Sequence, residues 1–157
     1  MIPKTITSPD APQNPGPCSP ALKVGDFIFI SGQVPLDATN QLVKSSITDQ
    51  TLQVLHNLVA LLAEMNLELR HIVKTTLYLT NKEYLDEVNQ IYATYFSQPY
   101  PSRSIVMVNE LQYGADIMLD ATAVDTLSYE QLFRKNDDDD GPVVDCEDCV
   151  DGSCNDC

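Results

Sequence analysis

A permanently charged guanidinium stands just ahead of an apolar run in this chain. Arg103 lies in Pro101-Ser102-Arg103-Ser104, followed by Ile105-Val106-Met107-Val108. Its planar fork of N–H donors fits a carboxylate. At the mouth of a strand it suits capture of a small molecule that bears an acid. The competing reading is a surface arginine paired with a nearby acid, because exposed arginines are common. Asp120 is the second residue of chemical interest. Met118-Leu119-Asp120-Ala121-Thr122-Ala123-Val124 alternates, so Asp120 shares a strand face with Met118, Thr122 and Val124. An acid buried among apolar neighbours has a raised pKa and can pass protons near neutrality. The plainer alternative is a strand-edge acid paired with a lysine or arginine.

Three polar positions accompany them. Ser31 closes the apolar run Phe27-Ile28-Phe29-Ile30, where a serine hydroxyl commonly bonds backbone. Gly32 beside it fits a β-bulge or the close approach of a ligand to the backbone. Asn89 lies on a helical face with Leu85, Tyr92 and Phe96. An amide within an apolar stripe must find hydrogen bonds, either as a satisfied core residue or as pocket lining. His56 and His71 have no acid or cysteine at ligand spacing and read as structural or surface residues. No Ser-His-Asp arrangement surrounds Ser31.

The net charge is −14, and it is concentrated at one end. Residues 137–157 carry nine of the 23 acids and no lysine or arginine. The same tail holds Cys146, Cys149, Cys154 and Cys157 as two Cys-x-x-Cys pairs separated by four residues. Paired thiolates can bind zinc or another soft metal, and adjacent pairs also form disulfides. The acidic, polar setting favours a solvated tail that carries thiols, with metal binding second. Nothing resembles the basic stripe of a nucleic-acid binder. No apolar run reaches the ~20 residues that span a bilayer. The first residues lack the features of a secretory or mitochondrial leader, so the expected location is the cytoplasm.

The 157 residues fit one domain over 1–127 followed by an acidic, Cys-containing tail over 128–157. Residues 1–20 read as an extended lead-in. Ala21-Leu22-Lys23-Val24 is a strand, Gly25-Asp26 a hairpin turn, and Phe27 to Gln33 the returning strand. Residues 48–65 form a helix capped by Thr48 or Asp49, with Asn66 at its end. His71 to Leu79 is the third strand. Asn81 caps a second helix from about Lys82 to Ser97, which Pro99 stops. Arg103 to Val108 and Ile117 to Val124 are the last strands, with Tyr113-Gly114 turning between them. The order ββαβαββ predicts an α+β domain with two helices on one face of a mixed sheet. The uncovered face argues for oligomerisation.

Five ordered segments give the chain a family resemblance: Gly16-Pro17-Cys18-Ser19, Ser31-Gly32-Gln33-Val34-Pro35, Val73-Lys74-Thr75-Thr76, Val88-Asn89-Gln90-Ile91-Tyr92 and Pro101-Ser102-Arg103-Ser104. Together they resemble the Rid (YjgF) family of enamine/imine deaminases, some members of which are described as endoribonuclease L-PSP. The resemblance covers roughly residues 10–126. It implies a chorismate-mutase-like fold and a homotrimer with a pocket at each subunit interface. It also implies that Arg103 anchors a substrate carboxylate and that Ser31, Gly32 and Asn89 line the pocket. Cys18 stands where the family usually has a pocket tyrosine, and Ile105 where many members have cysteine. Asp120 stands where deaminating members have the glutamate that orients or activates water, and is shorter by one methylene.

Three functions follow from the resemblance. The first is hydrolytic deamination, without a cofactor, of a 2-imino acid or its enamine tautomer, such as 2-aminoacrylate, to a 2-keto acid and ammonia. The second is non-catalytic binding of a small carboxylate as a sensor or regulator. The third is ribonuclease activity, against which the acidic balance counts.

Overall fold

The computed structural model describes residues 2–13 and 15–137. The strands are β1 (Lys4–Ile6), β2 (Ala21–Val24), β3 (Phe27–Gln33), β4 (Ile72–Leu79), β5 (Ser102–Met107) and β6 (Ile117–Val124). The helices are α1 (Ile47–Ala63), α2 (Leu85–Tyr95) and α3 (Leu127–Asp137). All six strands join one mixed sheet in the order β1-β2-β3-β6-β4-β5. Among the described residues, only β4 and β5 run parallel, with α2 as the crossover that parallel neighbours need.

Alternation decides which face is core. On β6, Ile117, Leu119, Ala121 and Ala123 are buried and the residues between them are half-exposed. On β4, Ile72, Thr75, Leu77 and Leu79 are buried. Helix α1 covers this face with Val54, Leu55, Leu58, Leu61 and Leu62, and α2 adds Val88 and Tyr92. Each large aliphatic side chain buried here contributes ~1.5–3 kcal/mol. Within α1, Asn57 is fully buried, and its amide donates to the carbonyls of Val34 and Leu36 at 3.1 and 2.9 Å. That pins the loop after β3. The opposite face carries no helix from α1 or α2. Phe27 and Phe29 remain 54% and 50% exposed there and stack at 6.5 Å.

Several boundaries differ from the sequence reading. The lead-in contains a strand: β1 pairs antiparallel with β2, Lys4 opposite Lys23. Helix α1 begins one residue before Thr48, and Ser46 caps it. The Ser46 hydroxyl accepts from the Asp49 N–H at 3.1 Å, and Asp49 reaches back, a reciprocal capping box. Asn66 does terminate that region, with φ of 62° at Asn40 and 57° at Asn66 marking the left-handed residues of the two flanking loops. His71 belongs to a 3-10 turn, so β4 starts at Ile72. Asn81 caps a 3-10 turn over Lys82–Tyr84 that feeds α2, and α2 ends at Tyr95, short of Pro99.

The chain divides into two units, Met1–Asp125 and the segment from Thr126 onward. The described part of the second is α3, a helix at the start of what the sequence predicts as an acidic tail over 128–157. Thr126 opens it, its hydroxyl donating to Glu130 at 2.6 Å. The four tail cysteines, Cys146, Cys149, Cys154 and Cys157, lie outside the described residues, and so does the alternative metal site built on them. Among the described residues, no helix is long and apolar enough to cross a membrane.

Candidate functional site

Arg103 sits on the edge strand β5 in register with Thr75, which places it on the helix-covered side of the sheet. There α2 receives it. Its Nη2 donates to Asn89 Oδ1 at 2.8 Å, and its Cζ lies 4.6 Å from the centroid of the Tyr92 ring. A cation over an aromatic face gains ~0.5–1 kcal/mol at an exposed site. The ring is itself fixed: Phe96 stacks against it at 4.2 Å, and its hydroxyl shares a 2.9 Å hydrogen bond with the buried Thr75 hydroxyl. Burial pushes the Tyr92 pKa up, against smaller downward effects of the Thr75 hydrogen bond and the Arg103 charge. The phenol therefore stays neutral and does not neutralise Arg103. The reading of Arg103 as one half of a surface ion pair does not hold. Its side-chain partner is a neutral amide, and among the described residues no carboxylate pairs with it. Arg103 opens onto a cleft of about 490 Å³ with Asn89, Tyr92, Ala93, Tyr100 and Pro101. Ile105, two residues along β5, shares this side in register with Leu77 and is partly exposed.

Asp120 sits on the other face. It stands opposite Thr76 on β4, one register step from the Thr75–Arg103 pair. It is not a strand-edge acid, because β6 runs between β3 and β4. Nor is its partner basic: the Tyr78 hydroxyl donates to Asp120 Oδ2 at 3.0 Å. On the β3 side the register slips. Ile30 pairs with Ala121 and Gln33 with Leu119, so Ser31 and Gly32 together oppose Asp120. This is the geometry of a β-bulge. The Ser31 hydroxyl donates to the Ser19 carbonyl at 2.7 Å, which ties the bulge to the Gly16–Pro20 segment. Cys18, an exposed free thiol, borders a separate cleft of about 410 Å³ with Pro15, Gly16, Gln112 and Tyr113. The neighbour that approaches Gly32 closely is a side chain of the fold. A Cβ on Gly32 would stand 2.6 Å from Met118 Sδ.

The sequence candidates thus fall into two groups. Arg103, Asn89 and Ile105 gather on the helix side at the β5 edge. Asp120, Ser31 and Gly32 gather at the bulge, and the Ser31–Ser19 bond links them to Cys18. Sequence reasoning missed the tyrosines that hold both groups. Tyr92 counted only as an apolar helix position, and Tyr78 and Tyr100 were not singled out. The alternation of Thr76 and Tyr78 on β4 was a signal for Tyr78, but only the β4–β6 register brings it to Asp120. Both histidines are structural or surface residues, as the sequence predicts. His56 is exposed and meets the Tyr95 hydroxyl at 3.1 Å, and His71 is buried with Nδ1 on the Glu68 backbone.

Fold and site together define a one-sided α+β domain with an open arginine, not paired to any described carboxylate, at its sheet edge. Residues 8–125 match the family described as Endoribonuclease L-PSP. A RutC family protein of Pyrococcus horikoshii is 39% identical over 121 residues, which span 76% of this chain and 96% of that protein. The 2-iminobutanoate/2-iminopropanoate deaminase of Mus musculus is 37% identical over 125 residues, spanning 79% and 93%. A crystal structure of a Rid family protein from Yersinia pestis superposes with a TM-score of 0.76 at 37% identity, over 78% of this chain and 99% of that one. The chain belongs to the Rid, or endoribonuclease L-PSP, family and has its YjgF-like fold.

Proposed function

We propose that this chain hydrolyses 2-imino acids, or their enamine tautomers, to 2-keto acids and ammonia. The observation that carries the reading is Arg103, a guanidinium held in place by Asn89 and Tyr92 with its charge unmatched by any described acid. Such a group selects a planar carboxylate. Likeness to a relative named as a 2-iminobutanoate/2-iminopropanoate deaminase supports this choice. In the reaction, water adds to the C=N carbon, the resulting amino alcohol collapses to a carbonyl, and ammonia leaves with the transferred protons. An imine is already electrophilic, so orientation and a proton shuttle suffice and no cofactor is called for. Arg103 clamps the carboxylate, Ser31 and nearby backbone hold the substrate, and Asp120 orients the water. Cys18 and Ile105 border it.

Arg103 and Asp120 face opposite ways in one copy, so this chemistry requires Arg103 from one copy and the bulge group from a neighbour. The uncovered sheet face with Phe27 and Phe29 supplies an apolar surface for that contact. A homotrimer with pockets between copies is the proposed assembly.

A second reading is binding of a small carboxylate without turnover. The tie of Ser31 to the Ser19 carbonyl favours it, because that hydroxyl's proton is already committed to backbone. Ribonuclease activity fits less well, given the −14 net charge and the absence of a basic stripe. Ammonia release from freshly generated 2-imino acids of graded side-chain size decides among them. Turnover that disappears in Arg103→Ala supports the deaminase. Saturable 2-keto acid binding with no ammonia release supports the regulator, and salt-dependent RNA binding supports the nuclease.

A further inference from the structure

Tyr78 and Asp120 are diagonal neighbours across the β4–β6 ladder. Asp120 stands opposite Thr76, and Tyr78 opposite Met118, so both project from the face that α1 and α2 leave open. Diagonal partners are ~7–8 Å apart at the backbone, within reach of an aromatic side chain. The Tyr78 hydroxyl spans that gap and donates to Oδ2 at 3.0 Å. Among the described residues no other hydrogen bond reaches the carboxylate.

We infer that Tyr78 is a positioning residue, whose hydroxyl holds one oxygen of Asp120 so that the other is presented to the attacking water. This rests on the reading of Asp120 given above. A carboxylate turns freely about its last torsion unless something holds it. A tether to one oxygen removes that freedom and leaves the second oxygen's lone pairs available as acceptor. The tether also stands on rigid elements, since both residues lie on inner strands of the sheet. Phenylalanine at 78 fills the same space and cannot tether. The donor persists across neutral pH, because the Asp120 hydrogen bond, burial and the Asp120 charge all raise the Tyr78 pKa, with only Thr76 acting against them.

The test compares Tyr78→Phe, Asp120→Asn and the double variant in the full chain, with ammonia release from 2-iminopropanoate as the readout. A misplacement of ~1 Å costs on the order of a hundredfold in rate. Tyr78→Phe is therefore expected to lower kcat by about tenfold to a hundredfold with KM within about twofold. Adding Tyr78→Phe to Asp120→Asn is expected to cost nothing more, because the group being positioned is already lost. An activity-free readout is the ultraviolet titration of Tyr78, taken as the difference between a protein and its Tyr78→Phe counterpart. Asp120→Asn is expected to bring that titration to lower pH. Unchanged kcat in Tyr78→Phe, alongside an inactive Asp120→Asn, overturns the inference and leaves the deaminase reading standing. An unmoved Tyr78 titration also overturns it, as does an equal loss in both backgrounds. Full hydrolysis by Asp120→Asn, or none by the parent, sinks the reading of Asp120 and this inference with it.

Discussion

Arg103 and Asp120 occupy opposite faces of the same sheet, Arg103 in register with Thr75 and Asp120 in register with the next residue, Thr76. Adjacent residues of a strand point to opposite sides. A small substrate in contact with one of these side chains in a given copy is screened from the other by the β4 backbone. Under the proposed reaction, in which both act on one imino acid, they come from two copies. In the proposed assembly, the sheet edge at β5 meets the uncovered face at Asp120 of a neighbouring copy.

Complementation between variants follows. Arg103→Ala and Asp120→Asn are each expected to be inactive as pure proteins. Refolded together at equal ratio, they should recover about a quarter of the parent rate, since random mixing in a closed ring leaves about one interface in four with both groups intact. Ammonia release from the mixture measures this, and light scattering should give roughly three times the monomer mass. No recovery in a mixture that does form trimers would place both groups in one copy's site.

The Arg103 clamp should fail in stages. Arg103→Ala is expected to weaken binding of a small 2-keto acid at least tenfold, because a hydrogen bond to a charged group contributes ~1.5–3 kcal/mol. Arg103→Lys should recover little, since an ammonium lacks the planar fork. Asn89→Ala removes one hydrogen bond of ~0.5–1.5 kcal/mol and should cost a few-fold in affinity. Calorimetric titration separates these levels. Equal affinity in Arg103→Ala and the parent would mean that the carboxylate binds elsewhere.

Periodicity was legible wherever one face is buried. Strand β6 runs over the predicted Ile117–Val124, and β2 and β3 meet at Gly25-Asp26 as predicted, because alternation and turn chemistry are local signals. Strand β1 was missed because three residues among prolines carry too little pattern, and its pairing with β2 is a tertiary fact. The sequence predicts a cap at Thr48 or Asp49, whereas the reciprocal Ser46-x-x-Asp49 capping box starts helix α1 at Ile47. At the site, residue identity was legible and facing was not. Face assignment of Arg103 relative to Asp120 depends on the parallel register of β4 with β5 and the antiparallel register of β4 with β6. Neither register is written in a single strand.

The bulge beside Asp120 depends on the absence of a side chain at Gly32. Gly32→Ala would place a Cβ 2.6 Å from Met118 Sδ, closer than real Cβ contacts. Methionine is flexible and can yield, so the cost should lie at the lower end of the ~1–3 kcal/mol typical of overpacking. A shortened side chain at the partner, Met118→Ala, should relieve the clash and make the double variant less destabilised than the sum of the singles. Urea melts of the four proteins test this. Strict additivity would show that Gly32 and Met118 do not meet.

Alkaline pH should destabilise the fold through two tyrosines. Burial raises Tyr92, and the Asp120 hydrogen bond, burial and the Asp120 charge raise Tyr78, from the ordinary 10.0. A tyrosine with a raised folded-state pKa binds its proton more tightly when folded. Its contribution is fully present below the unfolded value of 10.0 and is lost as pH climbs through the folded value. Asp37 and Asp49 act in the opposite direction. Hydrogen bonds from the Gln41 backbone and the Thr39 side chain lower Asp37, and those from the Ser45 and Ser46 side chains lower Asp49, from the ordinary 3.8. Their contribution is present above 3.8 and is lost as pH falls through the lowered values, and both groups are exposed, so it is small. Thermal melts across the pH range should show a shallow acid limb and an alkaline limb that begins near pH 10.0. Tyr78→Phe and Tyr92→Phe should each flatten the alkaline limb relative to the parent, because phenylalanine has no proton to lose. An alkaline limb of the same steepness in the double phenylalanine variant would assign the loss to other groups.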